Sequence, residues 1–480
     1  MSANAGLASR TLRNSVLVVG SRGLAKVGVF VVVVLLWRHL GAADYGRFSA
    51  MVVYATLAGI VADVGLQTIF VRDVSRDRTL FDRYLANLVS VRLLLSLIAL
   101  ALLALALRLL APDLFPYTLA AFVLLLTTAY SGLLRAVFYI RGRLVYEAAA
   151  ILAEAAILLG LTLLAIRLHS TWDVFLWVYS AGYAFTALFA LAVIRFRWQA
   201  PLRPRFEPAF LWRLLRPGIA LALGFTLVTI YAQVDIVLLQ LLKNYRMVGW
   251  YSAANKYIDA IAWIPQSAMG AVFPVLSMLS TGSGERLRQA YVTSYRMLAL
   301  LGVPLAVGIG LAAAPIVQLP GGFPQSIPAL QLLAPSIALL FVNNAFLYTL
   351  TAMNRQGDFT RLALFSLLVN LALNFGLIPG FGYLGAAAAS TLTELALFLG
   401  GWWLLRRHGY RLAPLSSVAR VLLSGALTGA AVFFLNRLLP VLAVIPIAAA
   451  VYVAAIVALR ALSPVEWSVV RSGLLGGARR

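Results

Sequence analysis

Residues 15–40 have the sequence SVLVVGSRGLAKVGVFVVVVLLWRHL. A helix of about 20 apolar residues spans the hydrocarbon core of a bilayer, so this stretch is long enough to cross it. Two cations lie inside it: Arg22 and Lys26 are four residues apart and therefore share one face of the helix. The stretch predicts a transmembrane helix that carries two positive charges within the membrane.

The composition extends this prediction to the whole chain. Of 480 residues, 62% are hydrophobic and 11% are charged, and the mean hydropathy is +0.93. A soluble domain is roughly half apolar and a quarter charged, so the surplus apolar residues are expected to contact lipid. The sequence predicts an all-α polytopic membrane protein with about fourteen transmembrane helices. Their expected first residues are Ser15, Ser49, Tyr84, Tyr117, Glu147, Val174, Gly218, Gly249, Tyr295, Ala329, Leu362, Leu384, Val418 and Val441.

The basic residues indicate orientation rather than a nucleic-acid partner. The net charge is +23, but the basic side chains lie in short loops between apolar runs and not on one soluble face. Alternate loops are rich in arginine, for example the loops at 72–83, 195–216 and 286–296. The positive-inside rule therefore predicts a multi-pass protein of the cell membrane with both termini cytoplasmic. The chain has no cysteine, which excludes disulfides and thiolate metal sites.

A short motif occurs twice at equivalent places in the predicted helix order. Residues 45–50 (YGRFSA) open the second helix, and residues 248–253 (VGWYSA) open the eighth. Six helices separate the copies, which predicts two six-helix bundles in a parallel pseudo-repeat, an arrangement in which transporters bind substrate between the halves. We expect bundles at 1–200 and 201–412, and two extra helices with a cytoplasmic tail at 413–480.

Several segments resemble one family of transporters. Residues 370–394 (NLALNFGLIPGFGYLGAAAASTLTE) resemble the helix 11–12 hairpin of the polysaccharide-exporting, Wzx-type flippases in the MATE-like (MOP) superfamily. Residues 40–46 (LGAADYG), 63–66 (DVGL) and 72–76 (RDVSR) resemble the first hairpin of that family. Residues 273–277 (FPVLS) resemble the end of its eighth helix.

The resemblance implies a function and a set of partners. It implies a flippase that moves an oligosaccharide on a polyprenyl pyrophosphate from the cytoplasmic to the outer leaflet for surface polysaccharide assembly. The expected partners are this lipid-linked oligosaccharide, membrane lipids and other glycan-assembly membrane proteins, with no nucleic acid. The same fold also carries other cargoes.

Charged and polar residues inside the predicted helices are the candidate binding residues, because a charge in hydrocarbon costs at least about 2.5–3.5 kcal/mol. Guanidinium and ammonium groups suit a diphosphate. The expected cargo site comprises Arg22, Lys26, Asp63, Gln233, Asn255 and Lys256. Asp63 is also a candidate ion-pair partner of Arg22 or Lys26, and Arg135 is expected to snorkel to the cytoplasmic side.

Three acids are candidates for a coupling ion. Asp235, Asp259 and Glu394 could carry a proton or sodium ion, and the membrane potential is another possible driving force. Two structural interpretations stand beside these roles: Lys256 and Asp259 are three residues apart and can pair locally, and Asn370 and Asn374 can hydrogen-bond between helices. We expect no other cofactor and no metal site.

Two other function classes stay open on the sequence. A small-molecule or ion antiporter of the MATE type is compatible with the same fold. A membrane glycan polymerase or ligase is less favoured, because such an enzyme needs a large outer loop and the outer loops here are short. The chain lacks a Walker loop, so ATP hydrolysis is not expected, and we predict a transporter and not an enzyme.

Overall fold

The structure is a computed structural model that describes residues 2–63, 65–198, 204–215, 219–280, 284–410, 415–462 and Trp467. Its regular elements within these ranges are helical. The chain forms two compact units, Met1–Ser252 and Ala253–Arg480. The sequence-based boundary between residues 200 and 201 lies outside the described residues.

The first unit is a helical bundle in which α1 contacts α3, α4 and α5, and α4 contacts α6. Its helices are α1 (Ser2–Asp63), α2 (Leu66–Arg76), α3 (Phe81–Leu110), α4 (Thr118–Ile140), α5 (Leu144–Arg167), α6 (Val174–Ala192), α7 (Pro208–Leu215), α8 (Ile219–Leu242) and the first two turns of α9 (Tyr245–Ser280).

The second unit is also helical, and α12 packs between α10 and α14. After the remainder of α9 come α10 (Gly284–Leu311), α11 (Ala313–Gln318), α12 (Ser326–Ala352), α13 (Gln356–Phe381), α14 (Tyr383–Arg407), α15 (Leu415–Leu435) and α16 (Val441–Ala458). The pairs α13–α14 and α15–α16 are adjacent hairpins, and α15 contacts α10.

The transmembrane prediction is confirmed. Twelve described helices are long and apolar enough to cross a membrane, and the first of these spans covers 44 residues, Gly20–Asp63. That length is about 66 Å, roughly twice the hydrocarbon thickness. If the two halves of this first span are counted as two helices and the apolar helix α15 is added, the total is the predicted fourteen. Exposed leucines such as Leu109, Leu119 and Leu188 are consistent with a surface in contact with lipid.

Gly41 divides α1 into its two halves. Its backbone is non-helical, with φ 71° and ψ 178°, a combination that is essentially restricted to glycine. The second half therefore begins at Ala42, seven residues before the expected start at Ser49. The polar segment that we assigned to a loop continues the helix instead.

Helix α2 was not predicted. Its residues Leu66, Phe70 and Val74 are four apart and fully buried, so they form one apolar stripe. They pack in a core cluster with Phe138 and Leu133 of α4. A helix with one apolar stripe of this kind is held by packing against a bundle.

Arg92 of α3 joins the end of α1 to α4. Its side chain is only 2% exposed and forms an ion pair with Asp63. It also donates to the carbonyl oxygens of Ala62, at 3.3 Å, and Ala129, at 2.7 Å. The fork of guanidinium N–H groups thus satisfies two helices at once.

Helix α7 is attached to α3 by polar contacts. Glu207, which precedes α7, forms an ion pair with Arg83, and its backbone N–H donates to Asn87 Oδ1 at 2.7 Å. The hydrogen bond from Arg83 lowers the pKa of the Glu207 carboxyl. Phe210 of α7 packs edge-on against Tyr84, with ring centroids 5.1 Å apart.

The two copies of the repeated motif touch each other through their glycines. A Cβ on Gly46 would lie 1.8 Å from the carbonyl oxygen of Tyr245, and a Cβ on Gly249 would lie 1.9 Å from that of Ala42. Each glycine therefore meets the residue four positions before the other glycine, so the contact is reciprocal. Only glycine allows two helix backbones to approach this closely.

We expect Gly46→Ala and Gly249→Ala each to destabilise the protein by about 1–3 kcal/mol, because the added methyl group must displace backbone. The midpoint of thermal unfolding in detergent measures the effect. Gly160→Ala is the matched control, since no atom lies within 4 Å of its Cβ position. Equal unfolding midpoints in all three variants would contradict the close contact.

We expect Arg92→Met to destabilise the protein by about 3 kcal/mol, because it leaves Asp63 and two carbonyl oxygens without their donor. The midpoint of thermal unfolding in detergent measures this effect as well. Arg167→Met is the control, since Arg167 is exposed near the end of α5. A loss in the control as large as that in Arg92→Met would show that the interactions of Arg92 are not responsible.

Candidate functional site

The two cations of the opening stretch lie on α1, and Arg22 has partners on other helices. Arg22 Nη2 donates to the hydroxyl of Tyr139 on α4 and lies 3.7 Å from Glu147 Oε1 on α5. The Arg22 side chain is nonetheless 43% exposed. Lys26 is exposed one turn further along α1 and forms no hydrogen bond or ion pair with the part of the chain that the structure describes.

Glu147, the acid near Arg22, forms an ion pair with Arg135 of α4. Arg135 donates from Nε and Nη2 to the two carboxylate oxygens of Glu147, at 3.0 and 2.6 Å. The Glu147 side chain is only 1% exposed. This bidentate geometry is the strong form of a charge-assisted hydrogen bond. The expectation that Arg135 snorkels is therefore wrong: the buried carboxylate holds it within the bundle.

A second carboxylate lies two turns further along α5. Glu154 is buried and accepts a hydrogen bond from Thr186 Oγ1 of α6 at 2.6 Å. Because it follows Glu147 by seven residues, it lies on the same side of the helix. It is also close enough to Arg135 for an electrostatic interaction. The described part of this region thus contains three cations, Arg22, Lys26 and Arg135, and two carboxylates.

Asp63 does not pair with Arg22 or Lys26, its two candidate partners from the sequence. It pairs with Arg92 on α3, a residue that the sequence analysis overlooked. Asp63 is the last residue of α1, and the buried guanidinium binds the carbonyl of Ala62 beside it. The carboxylate is still 41% exposed. In this structure the ion pair of Asp63 with Arg92 therefore stabilises the fold.

The other candidates of the first unit lie on α8. Asp235 is buried and accepts a hydrogen bond from the Tyr251 hydroxyl at 2.8 Å. Gln233, two residues earlier, is half-buried. Tyr251 belongs to the second copy of the repeated motif, so this motif also fixes the carboxylate of α8.

The remaining candidates belong to the second unit. Lys256 Nζ donates to Asp259 at 2.9 Å, which confirms the local ion pair, and Asn255 is half-buried beside it. Glu394 of α14 accepts from Asn343 Nδ2 at 2.7 Å.

Of the two asparagines of α13, Asn370 makes the predicted hydrogen bond between helices, whereas Asn374 donates to Asn370 within α13. Asn370 Nδ2 donates to Thr393 of α14 at 3.3 Å, and Asn374 Nδ2 donates to the Asn370 carbonyl at 2.9 Å.

Among the described residues, no group of three or more His, Cys, Asp or Glu side chains could hold a metal ion.

Glu147 and Tyr139 are site residues that the sequence analysis missed. Glu147 was used only to mark the start of a helix, and Tyr139 was not considered. A signal was present, since Arg135 and Tyr139 are four residues apart and share a face of α4. Glu147 follows across a short turn, so this acid was within reach of both.

Three comparisons with known proteins agree with this architecture. The sequence model of the family described as "Polysaccharide biosynthesis protein" matches residues 11–280. A probable flippase, AglR, of Haloferax volcanii is 24% identical over 219 residues, 44% of this chain and 45% of that protein. The probable low-salt glycan biosynthesis flippase Agl15 of the same organism is 26% identical over 166 residues, 34% of this chain and 35% of that protein. The matched segments thus span less than half the length of these curated relatives.

Two solved structures have a similar fold. The lipid II flippase MurJ in an inward closed conformation has a TM-score of 0.72 at 13% identity, over 96% of this chain and 100% of that one. An inward-facing multidrug resistance MATE transporter of the MOP superfamily has a TM-score of 0.61 at 15% identity, over 82% and 94%. These likenesses establish the fold. Because the family model matches more than half of the chain, the protein belongs to the polysaccharide biosynthesis protein family.

Proposed function

We propose that this protein is a flippase that moves a polyprenyl-pyrophosphate-linked oligosaccharide from the cytoplasmic to the outer leaflet. One observation carries the proposal: Arg22 and Lys26 are exposed one turn apart within an apolar span. The nearest acid to Arg22, Glu147, is already paired with Arg135. The two α1 cations therefore retain charge for an anionic ligand, and a diphosphate suits that requirement.

The family and the names of its relatives support this class of cargo. AglR and Agl15 are both named as flippases, and the similar structure of MurJ is that of a lipid II flippase. A lipid-linked sugar is consistent with a site on an apolar helix, because the prenyl chain stays in lipid while the charged head group binds to protein. We propose that the site is exposed alternately to the two sides of the cell membrane.

Three further proposals complete this scheme. A proton or sodium ion drives transport through Asp235, Asp259 or Glu394, or the membrane potential does so. Both termini are cytoplasmic, and the bundles at 1–200 and 201–412 are the two halves of the transporter. Other glycan-assembly membrane proteins deliver the cargo or receive it.

Transport in proteoliposomes tests the function directly. We expect the purified protein to move a polyprenyl-pyrophosphate oligosaccharide across the bilayer faster than empty liposomes do, and an imposed ion gradient to change the rate. Uptake of a small organic solute without movement of any such carrier would favour a MATE-type antiporter, which the structural likeness to that transporter also permits.

The double variant Arg22→Ala/Lys26→Ala should lower the initial transport rate at least about 100-fold, since it removes two charge-assisted contacts with the diphosphate. Arg38→Ala is the matched control because Arg38 is another exposed cation on α1, and its rate should be unchanged. A double variant that is folded and transports at the wild-type rate would refute the site assignment.

Cysteine labelling tests the orientation. The chain contains no cysteine, so Leu168→Cys or Arg78→Cys introduces a single reactive thiol at an exposed position. In intact cells an impermeant maleimide should label Leu168→Cys, which follows α5 on the predicted outer side, but not Arg78→Cys. The reverse pattern would invert the proposed topology.

A further inference from the structure

We infer that Tyr139 is a positioning residue of the cargo site, which holds the Arg22 guanidinium in place for an anionic phosphate group. The inference rests on the proposed function, because it assigns a role within the same site. Tyr139 belongs to α4 and Arg22 to α1, so the contact crosses between helices. This hydrogen bond restrains the charged end of the Arg22 side chain, which would otherwise have considerable rotamer freedom.

The hydroxyl of Tyr139 has only one possible orientation in this arrangement. It donates its proton to Glu147 Oε1 at 3.1 Å. A tyrosine hydroxyl has one proton, so its remaining hydrogen-bonding capacity is as an acceptor. Arg22 Nη2 donates to that oxygen. The order of donors is therefore fixed as Arg22 to Tyr139 to Glu147.

Arg135 fixes the other end of this chain of hydrogen bonds. Its bidentate contact with Glu147 orients the carboxylate, which in turn orients the Tyr139 hydroxyl. Because Glu147 is only 1% exposed, a cargo cannot replace Arg135 there without disrupting the bundle. Glu147 thus orients Tyr139 but is not itself a contact for the cargo.

The aromatic ring of Tyr139 also contributes. The Arg22 guanidinium carbon lies 5.7 Å from the ring centroid, within the range of a cation–π interaction. The ring and the hydroxyl together hold the guanidinium at one side, while the Arg22 side chain stays 43% exposed. A guanidinium has five N–H groups, so most of them remain available to phosphate oxygens. Arg22 is therefore preorganised for its ligand, which lowers the entropy cost of binding.

The variant Tyr139→Phe tests the contribution of the hydroxyl alone, apart from those of the ring and of the Arg135–Glu147 pair. It keeps the ring beside Arg22 and leaves both hydrogen bonds from Arg135 to Glu147. We expect the half-saturating concentration of the lipid-linked diphosphate to rise about ten-fold, as for loss of one hydrogen bond to a charged group. The maximal rate should stay within about two-fold of the wild-type rate, because the chain still folds and binds through the same cations.

A double variant distinguishes positioning from a structural role. If Tyr139 acts through Arg22, then Arg22→Ala/Tyr139→Phe should transport no worse than Arg22→Ala alone. Tyr146→Phe is the matched control, since that ring stacks on Phe138 and no contact with Arg22 involves it; its kinetics should be unchanged. An additive double variant, or a Tyr139→Phe variant with wild-type half-saturation, would overturn the inference.

A binding measurement keeps this inference distinct from the proposed function. Inorganic pyrophosphate should raise the thermal unfolding midpoint of the purified protein, by linkage of ligand binding to folding. Tyr139→Phe should need about ten times more pyrophosphate for half the shift, Arg22→Ala should show none, and Tyr146→Phe should match the wild type. If these results hold while no lipid-linked carrier is moved, the flippase proposal fails and the role of Tyr139 stands. If pyrophosphate does not stabilise the wild type, the inference fails.

Discussion

The cost of placing an ionised side chain in hydrocarbon controls the arrangement of this bundle. A charge within a spanning helix needs a partner inside the protein or access to water. Arg92 meets that requirement with Asp63 and two backbone carbonyls, and Arg135 meets it with both oxygens of Glu147. Each pair connects helices that are distant in sequence or adjacent across a turn. The Arg92–Asp63 pair thus links α3 to the end of α1, and the Arg135–Glu147 pair links α4 to α5.

This requirement also separates structural cations from functional ones. Arg92 is buried and Arg135 is half-buried, and each donates at least two hydrogen bonds to acceptors within the protein. Arg22 has one bond to Tyr139 and remains substantially exposed, and Lys26 is exposed beside it. A pair of exposed cations on an apolar helix is unfavourable unless a ligand or water compensates it. Exposure, and not the presence of charge, therefore distinguishes the candidate ligand-binding residues from those that stabilise the fold.

The helices were largely predictable from the sequence because runs of about 20 apolar residues are a strong signal. The first and last residues of the helices were less predictable. The second half of α1 starts at Gly41–Ala42 because a glycine can adopt φ 71°, whereas hydropathy placed the start at the next apolar run. Helix α2 escaped prediction because its stripe of Leu66, Phe70 and Val74 is too short for a span. The repeated motif was visible, but the reciprocal contact of Gly46 with Gly249 depends on packing that sequence spacing cannot give.

Predicting the site was harder because ion pairs depend on the choice among several possible partners. Local pairs were accessible: Lys256 and Asp259, three apart, do pair. Asp63 had Arg22 and Lys26 on α1 and Arg92 on α3 as possible partners, and no periodicity distinguishes them. The part of the first unit around Arg22 contains the basic side chains of Arg22, Lys26 and Arg135 and the carboxyl groups of Glu147 and Glu154. More basic than acidic side chains at this place is the balance that the proposed anionic cargo requires.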